Sequence, residues 1–181
     1  MVSSTIFYTV GHSNRSQDQL IALLRDVRIE HVVDVRAMPR SRTNPQFNQD
    51  VFAERLKTVG IGYSHCAALA GLRSRSRTVA DDVNGYWRNR SFQNYADYAL
   101  SATFQEALNT LIDLGRRTVC AVMCAEAVWW RCHRRIIADH LLHRDERVFH
   151  LLSPNRAEPA TMTAAAHPGP DGVLTYPADN N

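Results

Sequence analysis

Three side chains in the sequence could carry out nucleophilic or acid–base chemistry. Cys124 and Glu126 lie at and just after the end of the most continuous apolar run, residues 118–124, and His12 follows a β-rich run that stops at Gly11. A cysteine at the turn from a strand into a helix lies near the positive end of the helix dipole, which lowers a thiol pKa and favours the nucleophilic thiolate. Histidine and glutamate can act as a general acid or base. We therefore predict Cys124, Glu126 and His12 as catalytic residues.

Two of these residues, Cys124 and Glu126, also have a purely structural interpretation. A cysteine within an apolar run is most often a small, inert hydrophobic residue. Glu126 near a helix start can simply complement the helix dipole. Both interpretations stay open at the level of the sequence.

Polar and basic residues follow the same predicted strands. Of the 21 lysines and arginines, all but Lys57 are arginine, which binds phosphate and carboxylate through two parallel hydrogen bonds. Asp34 and Arg36 share one face if a strand persists through residue 36, so Asp34 could orient an arginine towards an anion. We predict a substrate-binding set that comprises Ser13, Asn14, Arg15, Asp34, Arg36, Ser41, Arg42 and Arg134.

A second cysteine and a histidine raise the alternative of a metal or redox protein that uses Cys124 and Cys132. Zinc is bound by thiolate and imidazole ligands, which Cys132 and His133 could supply. A helix predicted from about residue 128 to 143 would turn these two neighbours about 100° apart, so they would not face one metal. His133 would instead lie in register with the core-facing side of that helix. We therefore predict no metal ligands, and because nucleotide-binding glycine motifs are absent we also predict no cofactor.

The elements that would position these residues alternate between strand and helix. Short apolar runs predict strands, and capping-box pairs followed by helically spaced leucines predict helices. This alternation indicates a single α/β domain of the Rossmann-like, three-layer type, with a mainly parallel sheet and helices on both faces. Ligands bind such sheets beyond the carboxyl ends of the strands, where the candidate residues lie. The predicted strands are 5–10, 31–36, 61–64, 118–124 and 148–152, and the capping pairs are Ser16 with Gln19 and Thr103 with Glu106.

The domain organisation that we predict is an α/β domain over residues 1–152 and an irregular tail over 153–181. Within the domain, residues 70–94 are rich in arginine and poor in apolar anchors, which predicts a long irregular excursion. The tail contains five prolines and few large apolar residues, and we expect it to contribute little to the core.

Length and composition exclude several classes of protein. The chain has 181 residues, of which 45% are apolar and 22% charged, as in globular domains rather than disordered, collagen-like or coiled-coil chains. A run of ~18 apolar residues and a secretory leader are both missing, so we expect no membrane segment and a cytoplasmic location. Four cysteines without an export signal do not indicate a disulfide framework.

Several separated motifs resemble the domain of unknown function 488 (DUF488) family. The resemblance covers about residues 5–152 and departs from the family's usual LGG at Ala70. It implies an α/β domain with a polar site built by these motifs, and it implies no particular reaction. The motifs are TVGHSNRS at 9–16, VVDVRAMPRSR at 32–42, Phe47, Tyr63, LAG at 69–71, Tyr95, MCAE at 123–126, WRCHRRIIADHL at 130–141 and LTYP at 174–177.

The function that these observations favour is an enzyme acting on an anionic substrate, which could be a phosphate-bearing small molecule, a nucleotide or a nucleic acid. The alternative is a non-catalytic nucleic-acid or nucleotide-binding module. In that alternative the arginines of residues 73–90 bind the phosphate backbone, and Tyr86 and Trp87 stack on a base. The expected partner is thus an anionic small molecule or a nucleic acid, and the oligomeric state is not predicted.

Overall fold

A six-stranded sheet forms the centre of the structure, a computed structural model that describes residues 4–178. The strands are β1 (Ile6–Gly11), β2 (His31–Asp34), β3 (Gly62–His65), β4 (Cys120–Cys124), β5 (Arg147–Ser153) and β6 (Arg156–Pro159). They lie in the order β3-β2-β4-β1-β5-β6; the first five are parallel, and β6 runs antiparallel to β5. The prediction of a mainly parallel α/β sheet is confirmed.

Five α-helices cover the two faces of the sheet. They are α1 (Gln17–Asp26), α2 (Gln49–Thr58), α3 (Arg90–Ala99), α4 (Ala102–Gly115) and α5 (Arg134–His143). One core cluster joins Val10 and Val32 to α1 and α2, and the other joins Phe7 and Val33 to α3, α4 and α5. Residues of a strand point alternately to opposite faces, so each strand serves both layers. Within residues 4–178, no helix has the length and hydropathy that crossing a bilayer requires.

Local sequence signals explain how several helices begin and end. The predicted capping box of Ser16 and Gln19 starts α1, with both reciprocal hydrogen bonds present. After α2, Gly60 adopts a φ of +76°, where a side chain would be strained, and Ile61 N–H bonds back to Leu56 O. The predicted cap of α4 is wrong by two residues, because Ser101 rather than Thr103 is the cap, and its hydroxyl accepts a hydrogen bond from Phe104 N–H.

The helix that follows β1 and the helix that follows β4 pack on opposite faces of the sheet. From β1 the chain moves through α1 to β2 and through α2 to β3, whereas from β4 it moves through α5 to β5 on the far side of β1. Since β1 and β4 are neighbours, their outgoing loops separate and leave a crevice at their carboxyl ends. Such a switch point is where open α/β sheets bind ligands.

The predicted excursion over residues 70–94 is shorter than expected. Its irregular part ends at Asn89, whose side chain caps the unpredicted helix α3. The buried side chain of Asn84 donates to Asp97 in α3 and accepts a hydrogen bond from the backbone of Tyr176. The excursion is therefore held by defined contacts on both sides.

The segment after Ser153 differs from the irregular tail that the sequence suggested. It forms β6 and a small antiparallel pair of strands, β7 (His167–Pro168) and β8 (Leu174–Thr175). Tyr176 is fully buried, and its hydroxyl donates to Asp139 in α5 at 3.0 Å. This segment thus belongs to the core. Residues 1–3 of the predicted domain and residues 179–181 of the predicted tail lie outside the described residues.

The buried imidazole of His140 in α5 makes stability dependent on pH. Burial, helped by the nearby charges of His143 and Arg144, lowers the pKa of His140 to about 3, and its ring packs against Phe104. The folded pKa lies below the unfolded value of about 6.5, so the unfolded chain takes up the proton first as the pH falls. Stability is therefore lost between about pH 6.5 and pH 3.

We predict that His140→Phe removes this acid sensitivity. Between pH 7 and 4.5 the free energy of unfolding of the variant should fall by about 2–3 kcal/mol less than that of the wild type, because one fewer proton is linked to unfolding. Urea unfolding at both pH values measures the difference. His167→Phe, at an exposed imidazole, is the control. Equal pH slopes for wild type and His140→Phe would contradict the assignment.

Candidate functional site

A cavity of about 810 Å³ opens beyond the carboxyl ends of β1, β2 and β4. The loops after these strands form much of its lining, and the start of the excursion and α3 complete it. The structure therefore brings six of the predicted site residues into the lining of one cavity, namely His12, Ser13, Asn14, Arg36, Cys124 and Glu126.

The close approach of two loops at the base of the cavity depends on Gly11. A Cβ atom at this position would overlap the backbone carbonyl of Glu126, so no other residue fits without moving the loop after β4. Two further backbone hydrogen bonds of 2.9 Å extend the pairing of these strands, from His12 N–H to Cys124 O and from Ser13 N–H to Ala125 O. His12 and Cys124 are thus held side by side by the backbone.

Arg36 lies at the centre of a buried hydrogen-bond network on one side of the cavity. Its Nε and Nη2 groups donate to the carboxylate of Asp34, Nη2 also donates to Phe47 O, and Nη1 donates to Nε2 of His12. Tyr63 adds a hydrogen bond of 2.6 Å to the same carboxylate. A guanidinium has five N–H donors, so one N–H on Nη1 is left for a ligand.

The same network determines the state of His12. Arginine can only donate, so Nε2 of His12 is the acceptor and its Nδ1–H donates to Ser13 O at 2.7 Å. Burial lowers the pKa of His12 to about 4, and the charges of Arg36 and Arg134 act in the same direction against the hydrogen bond to Ser13 and the charge of Asp34. His12 is therefore neutral at pH 7, and the lone pair on its Nε2 accepts the hydrogen bond from Arg36.

Cys124, Cys132 and His133 form a cluster on another side of the cavity. The ligand atoms of these three residues all lie within 4.8 Å of one another, and all three residues line the cavity. The prediction that Cys132 and His133 diverge is wrong, because the expected helix over 128–143 is replaced by a short 3-10 turn at Trp129–Arg131 and α5 begins only at Arg134. Cys132 and His133 precede α5, so helical geometry does not separate them.

The two thiols of the cluster differ in acidity. The hydrogen bond to Cys132 and burial raise the pKa of Cys124, so the predicted lowering of this pKa is wrong. Although burial disfavours a charge, the hydrogen bond from Cys124 and the charge of Arg134 hold the pKa of Cys132 well below its usual range. The sulfur that the surroundings favour as a thiolate is therefore that of Cys132.

Arg134 lies behind the cluster with only 1% of its surface exposed. Its Nε and backbone N–H donate to the Cys132 sulfur at 3.3 and 3.5 Å, Nη2 donates to Glu126 O, and Nη1 donates to the Thr9 hydroxyl. Among residues 4–178 no carboxylate pairs with it. Arg134 therefore acts on the cavity through Cys132 and does not itself line it.

The remaining predicted substrate-binding residues lie elsewhere. Arg15 donates to the backbone carbonyls of Gly11 and Leu152, and it lines a separate, shallower surface pocket. Ser41 caps a turn by accepting a hydrogen bond from Asn44 N–H, and Arg42 is exposed; neither lines the cavity. Asp34 is fully buried behind Arg36. Their predicted contacts with substrate stay predictions, with no support from the cavity geometry.

Sequence reasoning missed two features of the cavity. Arg131, which is exposed and lines the cavity, was not among the predicted residues. Gly71 touches the imidazole of His133, because a Cβ there would lie 2.9 Å from Nδ1. The LAG motif was the available signal for this contact. Ala70 has a φ of −70°, which any residue adopts, so the departure from LGG leaves the backbone unchanged.

Internal contacts occupy two of the arginines and one of the aromatic residues that the sequence singled out in the excursion. Trp87 is buried and stacks on Phe92, so its ring is not exposed for stacking on a base. Arg73 donates to two backbone carbonyls, and Arg75 pairs with Asp81. The expectation that Trp87 stacks on a nucleic-acid base is therefore wrong.

A comparison with known families identifies the family of the chain. The family model described as domain of unknown function DUF488 matches residues 16–141. The chain belongs to this family. The matched range of this DUF488 protein contains Arg36 and the whole Cys124–Cys132–His133 cluster, whereas His12 precedes it. No curated protein and no solved structure gives a significant match.

We predict that Tyr63→Phe destabilises this DUF488 protein by about 1.5–3 kcal/mol, because the hydroxyl donates to the buried charged carboxylate of Asp34. The matched control is Tyr98→Phe, whose hydroxyl donates to the uncharged backbone carbonyl of Ala68 and should cost about 0.5–1.5 kcal/mol. Urea unfolding of both variants gives the comparison. If Tyr63→Phe cost no more than Tyr98→Phe, the network around Asp34 would not carry the stability assigned to it.

Proposed function

We propose that this DUF488 protein is an enzyme that acts on a small, phosphate-bearing organic anion bound in the cavity. The observation that carries the proposal is that one cavity joins a cationic side chain, a carboxylate and a cluster of two sulfurs with an imidazole. Its volume of about 810 Å³ is typical of pockets for small organic ligands, which span roughly 300–1,000 Å³.

The charge of Arg131 supports an anionic substrate. Its side chain is exposed at the cavity, and within residues 4–178 it makes no ion pair that would have to be broken on binding. The free N–H of Arg36 and the side chains of Ser13 and Asn14 add neutral and charged donors to the same lining. A phosphate group accepts such charge-assisted hydrogen bonds strongly.

Apolar side chains at the cavity support an organic substrate rather than a bare inorganic ion. Met38 and Leu72 line the cavity, and they are 73% and 83% exposed. Leu72 also has a φ of +58°, a strained conformation that is concentrated at functional sites. With Phe92 these residues offer an apolar surface for the uncharged part of the ligand.

The reactive groups of the proposed enzyme are Glu126 and the Cys124–Cys132–His133 cluster. Glu126 is exposed and lines the cavity, so its carboxylate can take up a proton from a bound substrate or water. His12 is a positioning residue in this proposal, because it is neutral and holds Arg36 through Nε2. Arg134 positions Cys132 in the same way.

The alternative of a nucleic-acid-binding module has less support. Trp87 is buried, and Arg73 and Arg75 are bound to neighbouring groups, so these three residues of the excursion are not free for a phosphate backbone or a base. The cytoplasmic location expected from the sequence is part of the proposal. It is supported by the four free cysteines among the described residues, which a reducing compartment maintains.

We predict that Arg131→Gln weakens binding of AMP, used as a phosphate-bearing probe, by roughly ten-fold or more, because one charge-assisted hydrogen bond is lost. Arg144→Gln is the matched control, since Arg144 lies at the end of α5 and bonds to Asn109 and Gln105. Adenosine and inorganic phosphate should each bind more weakly than AMP. Isothermal titration calorimetry measures all of these affinities.

Turnover is tested separately from binding. A panel of phosphate-bearing metabolites is incubated with the protein, and products are detected by mass spectrometry. Glu126→Gln should lower turnover and leave AMP affinity largely unchanged. Equal losses of affinity in Arg131→Gln and Arg144→Gln would indicate diffuse attraction rather than a bound phosphate, and binding without any product would favour the non-catalytic module.

A further inference from the structure

We propose that Cys124, Cys132 and His133 bind one zinc ion whose fourth coordination position opens into the cavity. This inference deepens the proposed function, on which it rests for the identity of the cavity as a substrate site. It assigns to the cluster a chemical role that the two thiols and the imidazole would not have separately.

The distances within the cluster suit tetrahedral zinc. With Zn–S and Zn–N bonds of about 2.3 and 2.0 Å, two ligand atoms on one ion lie roughly 3.5–3.8 Å apart. The Cys132 sulfur and His133 Nδ1 are 3.7 Å apart, and all three ligand atoms lie within 4.8 Å of one another. The ligands can therefore close around an ion with small side-chain movements.

The outer contacts of the cluster also resemble those of metal ligands. Nε2 of His133 lies 3.0 Å from Val35 O, a carbonyl that can only accept, so this nitrogen carries the proton. Nδ1 is then the nitrogen that can present a lone pair to a metal. Histidine ligands usually donate their other N–H to a carbonyl or carboxylate in this way. The two N–H groups of Arg134 that point to the Cys132 sulfur orient that ligand similarly.

The charges of the zinc ion, the two thiolates and Arg134 favour an anion as the fourth ligand. Zinc and two thiolates sum to zero, and the thiol protons are released to solvent when the metal binds. The buried guanidinium of Arg134 then leaves one positive charge, since no carboxylate within residues 4–178 pairs with it. An anion in the open position, either hydroxide or a substrate oxygen, makes the site neutral.

The number and exposure of the ligands indicate a catalytic rather than a structural zinc site. Structural sites usually have four protein ligands, whereas catalytic sites have three and keep one position for water or substrate. Within the described residues the cluster contains three ligands, and each of them lines the cavity. Zinc held there would meet the anionic group of a ligand bound at Arg131.

The test is the metal content of the full chain after reconstitution with zinc and removal of excess metal. We expect about one zinc per chain, and roughly ten-fold less in Cys124→Ser, Cys132→Ser and His133→Asn. Cys66→Ser and Cys120→Ser are matched controls that should retain the metal, because both thiols lie outside the cluster. Cobalt in place of zinc should give a thiolate-to-cobalt charge-transfer band in the wild type that Cys132→Ser lacks.

A second measurement needs no variant and so does not depend on how the variants fold. A thiol reagent should modify two more of the four cysteines in chelator-treated protein than in zinc-loaded protein. Folded wild type that binds less than about 0.1 zinc per chain, or equal thiol counts in both forms, would overturn the inference. Stoichiometric copper or iron in its place, or zinc retained by Cys132→Ser, would also overturn it.

AMP titration separates failure of this inference from failure of the proposed function. Zinc binding without AMP binding would overturn the proposed function and leave the zinc site intact. AMP binding that depends on Arg131, in a protein that binds no zinc, would overturn the zinc site alone.

Discussion

The guanidinium of Arg134 is buried without a carboxylate partner among residues 4–178, and the base of the cavity is arranged around this charge. It bonds to the Cys132 sulfur, the Thr9 hydroxyl and the Glu126 carbonyl, and so joins the start of α5 to β1 and to the loop after β4. A buried cation that loses its partners costs several kcal/mol. The three connections therefore have to persist together, and the cluster at the cavity is supported by the core rather than by a surface loop.

The two buried arginines near the cavity have opposite electrostatic consequences. Arg36 is neutralised by Asp34, with a shortest N–O distance of 2.6 Å, so this side of the cavity is a rigid, nearly neutral wall that also keeps His12 uncharged. For Arg134, the group within the described part of the chain that can balance its charge is the Cys132 sulfur. Among residues 4–178, the positive charges at or behind the cavity that lack a carboxylate partner are thus those of Arg134 and of the exposed side chain of Arg131. Because Arg36 is paired with Asp34 and Arg134 is not paired with a carboxylate, we expect an anion to be favoured on the side of the cavity where the sulfurs lie.

The layered fold could be predicted because strand and helix periodicities are local signals in the sequence. The position of the cavity at the carboxyl edge of the sheet could be predicted because the candidate residues follow strands. It did not predict α3, whose buried face includes Gln93 and Asp97; their polar groups are bonded to the excursion, so the face is not apolar in sequence. The approach of Cys132 to His133 was also missed. It depends on the 3-10 turn at Trp129–Arg131. The sequence of this turn continues into that of α5, so it was predicted as the first turn of one longer helix.

The contacts of Tyr176 set an order of events during synthesis of the chain. This side chain is buried between Asp139 of α5 and Asn84 of the excursion, and Asn84 is bonded in turn to α3, which forms one wall of the cavity. The five parallel strands and α5 all end at or before Ser153, so they are synthesised before Tyr176. The hydrogen bond that links Asn84, and through it α3, to Tyr176 can therefore form only after these strands have been synthesised. One wall of the cavity is thus stabilised by a segment that is synthesised after the five parallel strands.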